Sequence, residues 1–475
     1  MNAMTATATR PAPAITARWL GLSVVLAATI MNLLDSTVVN VAAPSIYAEL
    51  GGSLASLQWI AAGYTLALAV GLLTGGRLGD MYGRKRMLMI GVAGFTVTSL
   101  ACALAWSPSV LVGARVLQGL FAAVMIPQCF GLIRDLFPPQ DIGKAFAAFG
   151  PVIGLSTVIG PIVAGFLIAG TGWRMIFLIN LPLGVWALVT GRRILPGNAP
   201  THRHSQLDVP GMALAGAAMF LLVFPLVQGR ELGWPSWIFA MLGASLAMFA
   251  GFVVYQMRLK GRTPLVELSV FAKRSFSSGV IFVIVFFGAI VGFSLAVGLF
   301  LQLGLGYSVI RASLTMSAWA LGAFLGSGFA AAMMAKLGRR ILHIGLIGMT
   351  VGMVGVYLVL QGSGIDLTSW ELALPLGAFG FGMGMIFVPL FDIIMGEIAD
   401  HEVGSASSSL EALQQLGASL GVAVLGTIFF GITGPAISAT TAVRAASVVT
   451  LIAVGLTIAA FGIGFLLPRK ARANA

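Results

Sequence analysis

Long apolar runs dominate this chain and decide what it can fold into. Fourteen of them alternate with short charged clusters, near residues 18–42, 57–75, 87–106, 109–132, 145–168, 173–191, 208–228, 236–257, 276–301, 312–334, 341–361, 371–395, 405–431 and 445–467. A helix needs about 20 apolar residues to cross the hydrocarbon core of a bilayer, and the runs have that length. Helices are the default, because an open strand edge cannot stand in lipid. Barrel strands would alternate in polarity over about ten residues, whereas these runs are longer and uniformly apolar. The expected fold class is an all-α polytopic membrane protein with 14 spans.

Composition agrees. Of 475 residues, 58% are hydrophobic and only 9% charged, against roughly 25% charged in a soluble domain. That excludes a soluble enzyme, a disordered regulator and a nucleic-acid binder. The net charge of +12 would point to nucleic acid in a soluble chain. Here the basic residues fall in short loops instead. One set of alternate loops, with both tails, holds 22 Lys and Arg; the opposite set holds 4, and Arg115 sits inside a span. The positive-inside rule then places both termini in the cytoplasm, beneath an inner membrane. Glu397, Asp400 and Glu402, between spans 12 and 13 with no Lys or Arg beside them, depart from that pattern; contact with a basic loop is the one expectation they carry. The polar first 17 residues lack a signal-peptide core. Cys102 and Cys129 lie within apolar runs and read as buried thiols, with no disulfide or metal site.

An internal repeat organises the spans. Gly83-Arg84-Lys85-Arg86 follows span 2, and Gly338-Arg339-Arg340 follows span 10, each leading into Met-Leu-Met-Ile-Gly or Ile-Leu-His-Ile-Gly. Spans 1–6 and 9–14 thus form two equivalent six-helix bundles with spans 7 and 8 inserted, an arrangement of transporters with a midplane cavity. The expected division is a tail over 1–17, a bundle over 18–195, a linker with two inserted helices over 196–275, a second bundle over 276–468 and a tail over 469–475.

The loop after span 2 reads Gly76-Arg77-Leu78-Gly79-Asp80-Met81-Tyr82-Gly83-Arg84-Lys85-Arg86. A positive-inside anchor accounts for its basic residues but not for the Gly-x-Leu-x-Asp-x-x-Gly spacing. The loop resembles the signature loop of the major facilitator superfamily, which latches the two halves and gates their movement; Met81 stands where a basic residue is usual. Other stretches resemble the fourteen-span drug:proton antiporter branch of that superfamily. They are Leu34-Asp35 to Pro44, Arg115-Val116-Leu117-Gln118-Gly119, Gly150-Pro151 through Gly154 and Gly160-Pro161 to Gly165, Trp173 to Gly184, and Leu301-Gln302 to Ser308. Ala164 replaces one glycine of the usual Gly-Gly pair. The resemblance covers nearly the whole chain and implies a major facilitator fold. Independently of it, Gly-Pro inside span 5 frees a carbonyl and permits a bend. That bend is a packing kink or, as the resemblance implies, the seam that sets export direction.

Charge at the bilayer centre is disfavoured by about 2.5–3.5 kcal/mol or more, so each surviving charge needs a reason. Asp35 shares a face of span 1 with Asn32, and Arg115 shares a face of span 4 with Gln118. Ser407, Ser408, Glu411, Gln414 and Gln415 form one polar stripe along span 13, which must face a cavity or another helix. Glu411 stands where many members of the branch have Asn. Asp392 lies near the cytoplasmic end of span 12. Asp35, Arg115, Glu411 and Asp392 are the proton-coupling candidates; Asn32, Gln118, Ser408, Glu411, Gln414 and Gln415 are cavity candidates. The structural alternatives are a static Asp35–Arg115 pair and interfacial acids at 392 and 411. His343 reads as a core or loop histidine.

No phosphate-binding glycine loop occurs, so an ion gradient rather than a nucleotide or other cofactor supplies the energy. A desolvated carboxylate can take a proton near neutrality, whereas arginine stays charged. The expectation is a monomeric exporter of lipophilic drugs or antibiotics in exchange for protons, for cationic or neutral substrates, with Phe and Trp suited to lipophilic cations. The rivals are a metabolite uptake symporter on the same fold, against which the Gly-Pro stretch argues, and a receptor or scaffold that transports nothing.

Overall fold

The computed structural model describes residues 15–138, 141, 160, 163–197, 208–229, 231–259, 268–398, 403–434 and 436–468, and every regular element among them is helical. In order these are α1 (Ile15–Leu50), α2 (Leu54–Tyr82), α3 (Arg84–Ala103), α4 (Pro108–Leu136), α5 (163–171), α6 (Met175–Leu178), α7 (Asn180–Ile194), α8 (Val209–Gln228) and α9 (Ser236–Arg258). Then follow α10 (Leu268–Ala272), α11 (Arg274–Leu299, extended by a π turn over Phe300–Gly304), α12 (Val309–Leu337), α13 (Arg340–Ser363), α14 (Ser369–Met395), α15 (Val403–Thr433) and α16 (Ala439–Gly464). Thirteen helical stretches among the described residues are long and apolar enough to cross a membrane. The expected fifth span, 145–168, lies mostly outside the described residues.

Local sequence sets the ends. Ser53, Ser107, Ser308 and Ser438 each accept a backbone N–H of the first turn of α2, α4, α12 and α16, satisfying donors that have no partner inside the helix. Thr368 and Glu371 close a capping box on α14. Gly83 ends α2 and starts α3 at φ 93°, and Gly338 ends α12 at φ 50°, values that favour glycine. The expected sixth span is one helical stretch, Met175–Ile194, with α6 and α7 separated only by Ile179, itself at φ −60° and ψ −25°. Pro182, without an N–H, suits the first turn of α7.

Packing answers the sequence repeat. In one half α4 packs on α2 and α3, and α7 on α1 and α3; in the other α14 packs on α12 and α13, and α16 on α11 and α13. The basic turns do matching work: Lys85 donates to Arg192 O and Leu195 O at the end of α7, and Arg339 donates to Phe465 O and Leu467 O just past α16. Small residues let backbones touch, as membrane helices without a hydrophobic driving force require. A Cβ at Gly326 of α12 would fall 2.0 Å from Phe381 O of α14, and one at Gly75 of α2 would fall 1.9 Å from Ala123 O of α4.

Among the described residues the halves meet chiefly through α2 and α15, and α8 packs against both. Thr427 of α15 donates to Leu226 O of α8 at 2.6 Å, and Glu231, just past α8, accepts the N–H of Ala55 at 2.8 Å. Phe220 and Phe224 stack near Trp59 of α2. At the other end of the inserted pair, Asp208 caps α8 through Gly211 N and accepts from Tyr255 and Gln256 of α9.

Candidate functional site

Two of the charges that survive inside the spans, Asp35 and Arg115, meet in the first half. Asp35, from α1, and Arg115 and Gln118, one turn apart on α4, are almost wholly buried, at 2%, 1% and 0% exposure. Arg115 pairs with Asp35 Oδ2. Its Nη1 also donates to Gln118 Oε1 at 2.8 Å, and its Nε to Ile60 O at 3.1 Å. Gln118 Nε2 completes the triangle, donating to Asp35 Oδ1 at 2.9 Å. Burying charge this deeply is tolerable only when it is paired and its remaining hydrogen-bond sites are filled.

Five further residues surround the triangle. Gln118 Nε2 donates also to Ser99 Oγ of α3 at 2.7 Å, and Asn180 Nδ2, at the start of α7, reaches the same Oγ at 3.2 Å. The Tyr64 ring of α2 lies 4.1 Å from the Arg115 guanidinium, a cation–π contact. The Tyr64 hydroxyl donates to Asn32 Oδ1 at 2.5 Å, so Asn32 joins the cluster through Tyr64. Cys102 approaches Gln118 Oε1 at 3.6 Å; both cysteines are free and buried. Sequence reading passed over Ser99, Tyr64 and Asn180 as site residues, although Asn180 stands inside the Trp173–Gly184 stretch. Its side chain sits at the start of α7, and apolar periodicity does not reveal its approach to Ser99.

Glu411 comes from the other half. It is partly buried on α15, within electrostatic reach of Tyr64 and Cys129. Among the described residues it has no hydrogen-bond or ion-pair partner. Ser408, Gln414 and Gln415 are likewise partly buried, and a Cβ at Gly76 would touch Ser408 Cβ at 3.9 Å. The stripe continues beyond the expected residues to Ser419, which shares a 2.5 Å hydrogen bond with Thr65 of α2. Asp392 is exposed in the last turn of α14 and does not join the cluster.

In the gating loop, Arg84 pairs with Asp135 of α4 at 3.4 Å, Lys85 closes α7, and Arg86 is exposed. The Asp80 side chain lies outside the described residues. In the span 5 motif Gly150, Pro151, Gly154 and Pro161 also lie outside them. Gly160 is buried, and Gly165 meets α12, where an added Cβ would fall 2.7 Å from Ser313 Oγ. Of the acidic loop, Glu397 accepts the N–H of Ser275 at 3.3 Å at the head of α11, beside the basic Lys273 and Arg274; Asp400 and Glu402 lie outside the described residues. His343 packs between Phe461 and Phe465 as a core side chain. At the end of α1, Glu49 accepts from Arg174 and from Trp173 Nε1. The Arg174 hydrogen bond leads in holding that carboxyl below the usual range, aided by Trp173.

Matched halves of membrane helices, a neutralised charge cluster in one and a lone carboxylate facing it from the other define a polytopic transporter rather than an enzyme. The chain belongs to the Major Facilitator Superfamily, matching that family over residues 25–422. It is 48% identical over 430 residues to a probable actinorhodin transporter of Streptomyces coelicolor, covering 89% of this chain and 74% of that one. It is 34% identical to the tetracenomycin C resistance and export protein of Streptomyces glaucescens, covering 86% and 76%. It is 33% identical to a puromycin resistance protein of Streptomyces alboniger, covering 95% and 89%. An auto-inhibited POT family peptide transporter has the same fold, with a TM-score of 0.69 at 17% identity, covering 94% of this chain and 96% of that one.

Proposed function

We propose that this protein exports lipophilic drugs or antibiotics in exchange for protons, by alternating access across an inner membrane, with both termini in the cytoplasm. The observation that carries the reading is the buried Asp35–Arg115–Gln118 triangle in one half with Glu411 facing it from the other. Protonation of Asp35 removes its charge from the pair. Arg115 then keeps Gln118 Oε1, Ile60 O and the Tyr64 face, so the guanidinium stays in place while its bond to α1 weakens. That difference biases two arrangements of α1 against α4, and a ligand or proton that prefers one shifts the population. Relatives named for carrying actinorhodin, exporting tetracenomycin C and resisting puromycin support the export of such compounds. The unpaired carboxylate of Glu411 favours cationic or neutral substrates over anions.

The test is purified protein in liposomes carrying a pH gradient and a lipophilic cation. Uptake into the acidic lumen should follow the gradient and collapse when the gradient is dissipated. In Asp35→Asn, gradient-driven flux should vanish while equilibrium binding of the cation persists. Flux at the same rate with and without the gradient would sink proton coupling. For orientation, a reporter active only in the cytoplasm should be active when fused after Ala475.

A further inference from the structure

We infer that this protein holds an anionic phospholipid at its lipid-facing edge, in a groove between α13 and α16 at the membrane end opposite the basic loops. A cavity of about 260 Å³ opens there. Tyr357 and Gln361, one turn apart on α13, form one wall; Thr440, Arg444 and Ser447, on successive turns of α16, form the other. Arg444 is the only charged residue in the lining, and among the described residues no carboxylate pairs with it. It is also one of only 4 basic residues in the sparse set of loops, so the positive-inside bias does not explain it.

Ser447 supplies the second observation. It is only 4% exposed, it lines the cavity, and its Oγ has no hydrogen-bond partner. A buried hydroxyl left unpaired is unfavourable by about 1–3 kcal/mol. Most serines inside helices avoid this by bonding to a carbonyl of the preceding turn. Here an outside acceptor between Ser447 and Arg444 would satisfy the hydroxyl and the guanidinium together, as a phosphate oxygen pair does.

The rest of the lining says which phosphate. Val448 and Leu451 continue the groove along α16, away from the helix start. Leu451 is exposed, and so are Leu358, Val354 and Val351 on α13. Arg444 lies about 7–8 Å along the axis from the start of α16, the depth of a headgroup rather than of a midplane site. A polar pole at that depth and an apolar track below it suit a phosphodiester carrying an acyl chain. The cavity is also smaller than the about 300–1,000 Å³ typical of enclosed small-molecule sites, consistent with a ligand that keeps its tail in the bilayer.

The experiment titrates the purified, detergent-solubilised protein with short-chain phosphatidylglycerol, phosphatidylcholine of the same chains, or inorganic phosphate, and counts bound molecules by native mass spectrometry. Phosphatidylglycerol should bind about tenfold more tightly than phosphatidylcholine. Arg444→Gln should weaken phosphatidylglycerol about tenfold, or about 1.4 kcal/mol, and Ser447→Ala about threefold, or about 0.6 kcal/mol. Both variants should elute like the wild type; Arg444→Gln, which truncates an exposed side chain, should melt like it, and Ser447→Ala, which removes a buried hydroxyl that bonds nothing, should melt no lower in the lipid-free protein. Equal retention of the two lipids, or phosphatidylglycerol binding unchanged in both variants, would overturn the proposal. Inorganic phosphate binding as tightly as phosphatidylglycerol would overturn the lipid as its source.

Discussion

Removing one partner of the Asp35–Arg115 pair should not be symmetric. Arg115 has other contacts, at Ile60 O, Gln118 Oε1 and the Tyr64 ring, whereas Asp35 keeps only the neutral amides of Gln118 and Asn180. Asp35→Asn therefore leaves a charge that is still largely solvated by the protein. Arg115→Met leaves a carboxylate at 2% exposure with neutral amide donors and no countercharge. Breaking a buried pair in this way is unfavourable by about 3–5 kcal/mol. The stranded group has one escape, which is to bind a proton. From an ordinary aspartate value of about 3.9, that costs about 4 kcal/mol at pH 7 and about 1.5 at pH 5. The melting temperature of Arg115→Met in detergent should accordingly fall several degrees below wild type at pH 7 and recover most of the gap at pH 5. The double variant Asp35→Asn/Arg115→Met, which has no buried charge, should melt above Arg115→Met at pH 7. If Asp35→Asn were as destabilised as Arg115→Met, or the double variant no better than Arg115→Met, the asymmetry argued from the contacts would be wrong.

Three more outcomes follow from the site and its frame. Glu411→Gln should raise the KM for cationic substrates by about tenfold and leave neutral ones nearly unchanged; equal losses for both in a vesicle assay would remove Glu411 from charge recognition. Gly83→Ala and Gly338→Ala each force a side chain into a glycine backbone region at φ 93° and 50°, unfavourable by about 1–3 kcal/mol; both should lower the yield of folded protein on size-exclusion, and normal yields would show that these turns relax freely. Glu49, held below the usual range by Arg174, should stabilise the protein fully above about pH 4.3 and lose that effect as the pH falls through its depressed folded value. The melting gap between wild type and Glu49→Gln should thus be no more than about 2 °C, since the pair is exposed, and should close on acidification; a gap that widens below pH 4 would refute the assignment.

The helices were legible because a membrane admits so few structures: apolar length alone locates α3, α9 and α14 to within a few residues. The repeat was legible from Gly83 and Gly338, although the residues that close the last helix of each half, Lys85 and Arg339, are offset by one position in that alignment. Asp35 and Arg115 stood out because charge in lipid must be accounted for. Their pairing was inferable from the two spans sharing a bundle. Ser99, Tyr64 and Asn180 were not visible in the same way. A serine or tyrosine within a span is barely disfavoured, so nothing in its presence demands a partner. Asn180 likewise sits within one helical stretch, Met175–Ile194, and its approach to Ser99 depends on tertiary packing, not on apolar period. Ser419 continues the stripe of Glu411 and Gln415 at the same four-residue step, a signal that was present but cut short where the neighbouring residues become small and apolar.

The inserted pair also changes what lipid can reach. α8 lies along the α2–α15 seam and bonds to both of its walls through Glu231 and Thr427, while α9 packs on its outer side. At the other seam, where Gly165 meets Ser313 of α12, none of these contacts occurs among the described residues. The two sides of the molecule are therefore unequal as doorways. A compound dissolved in the bilayer meets α8 laid across one flank, with no counterpart among the described residues at the other, so the pseudo-symmetric fold acquires a front and a back.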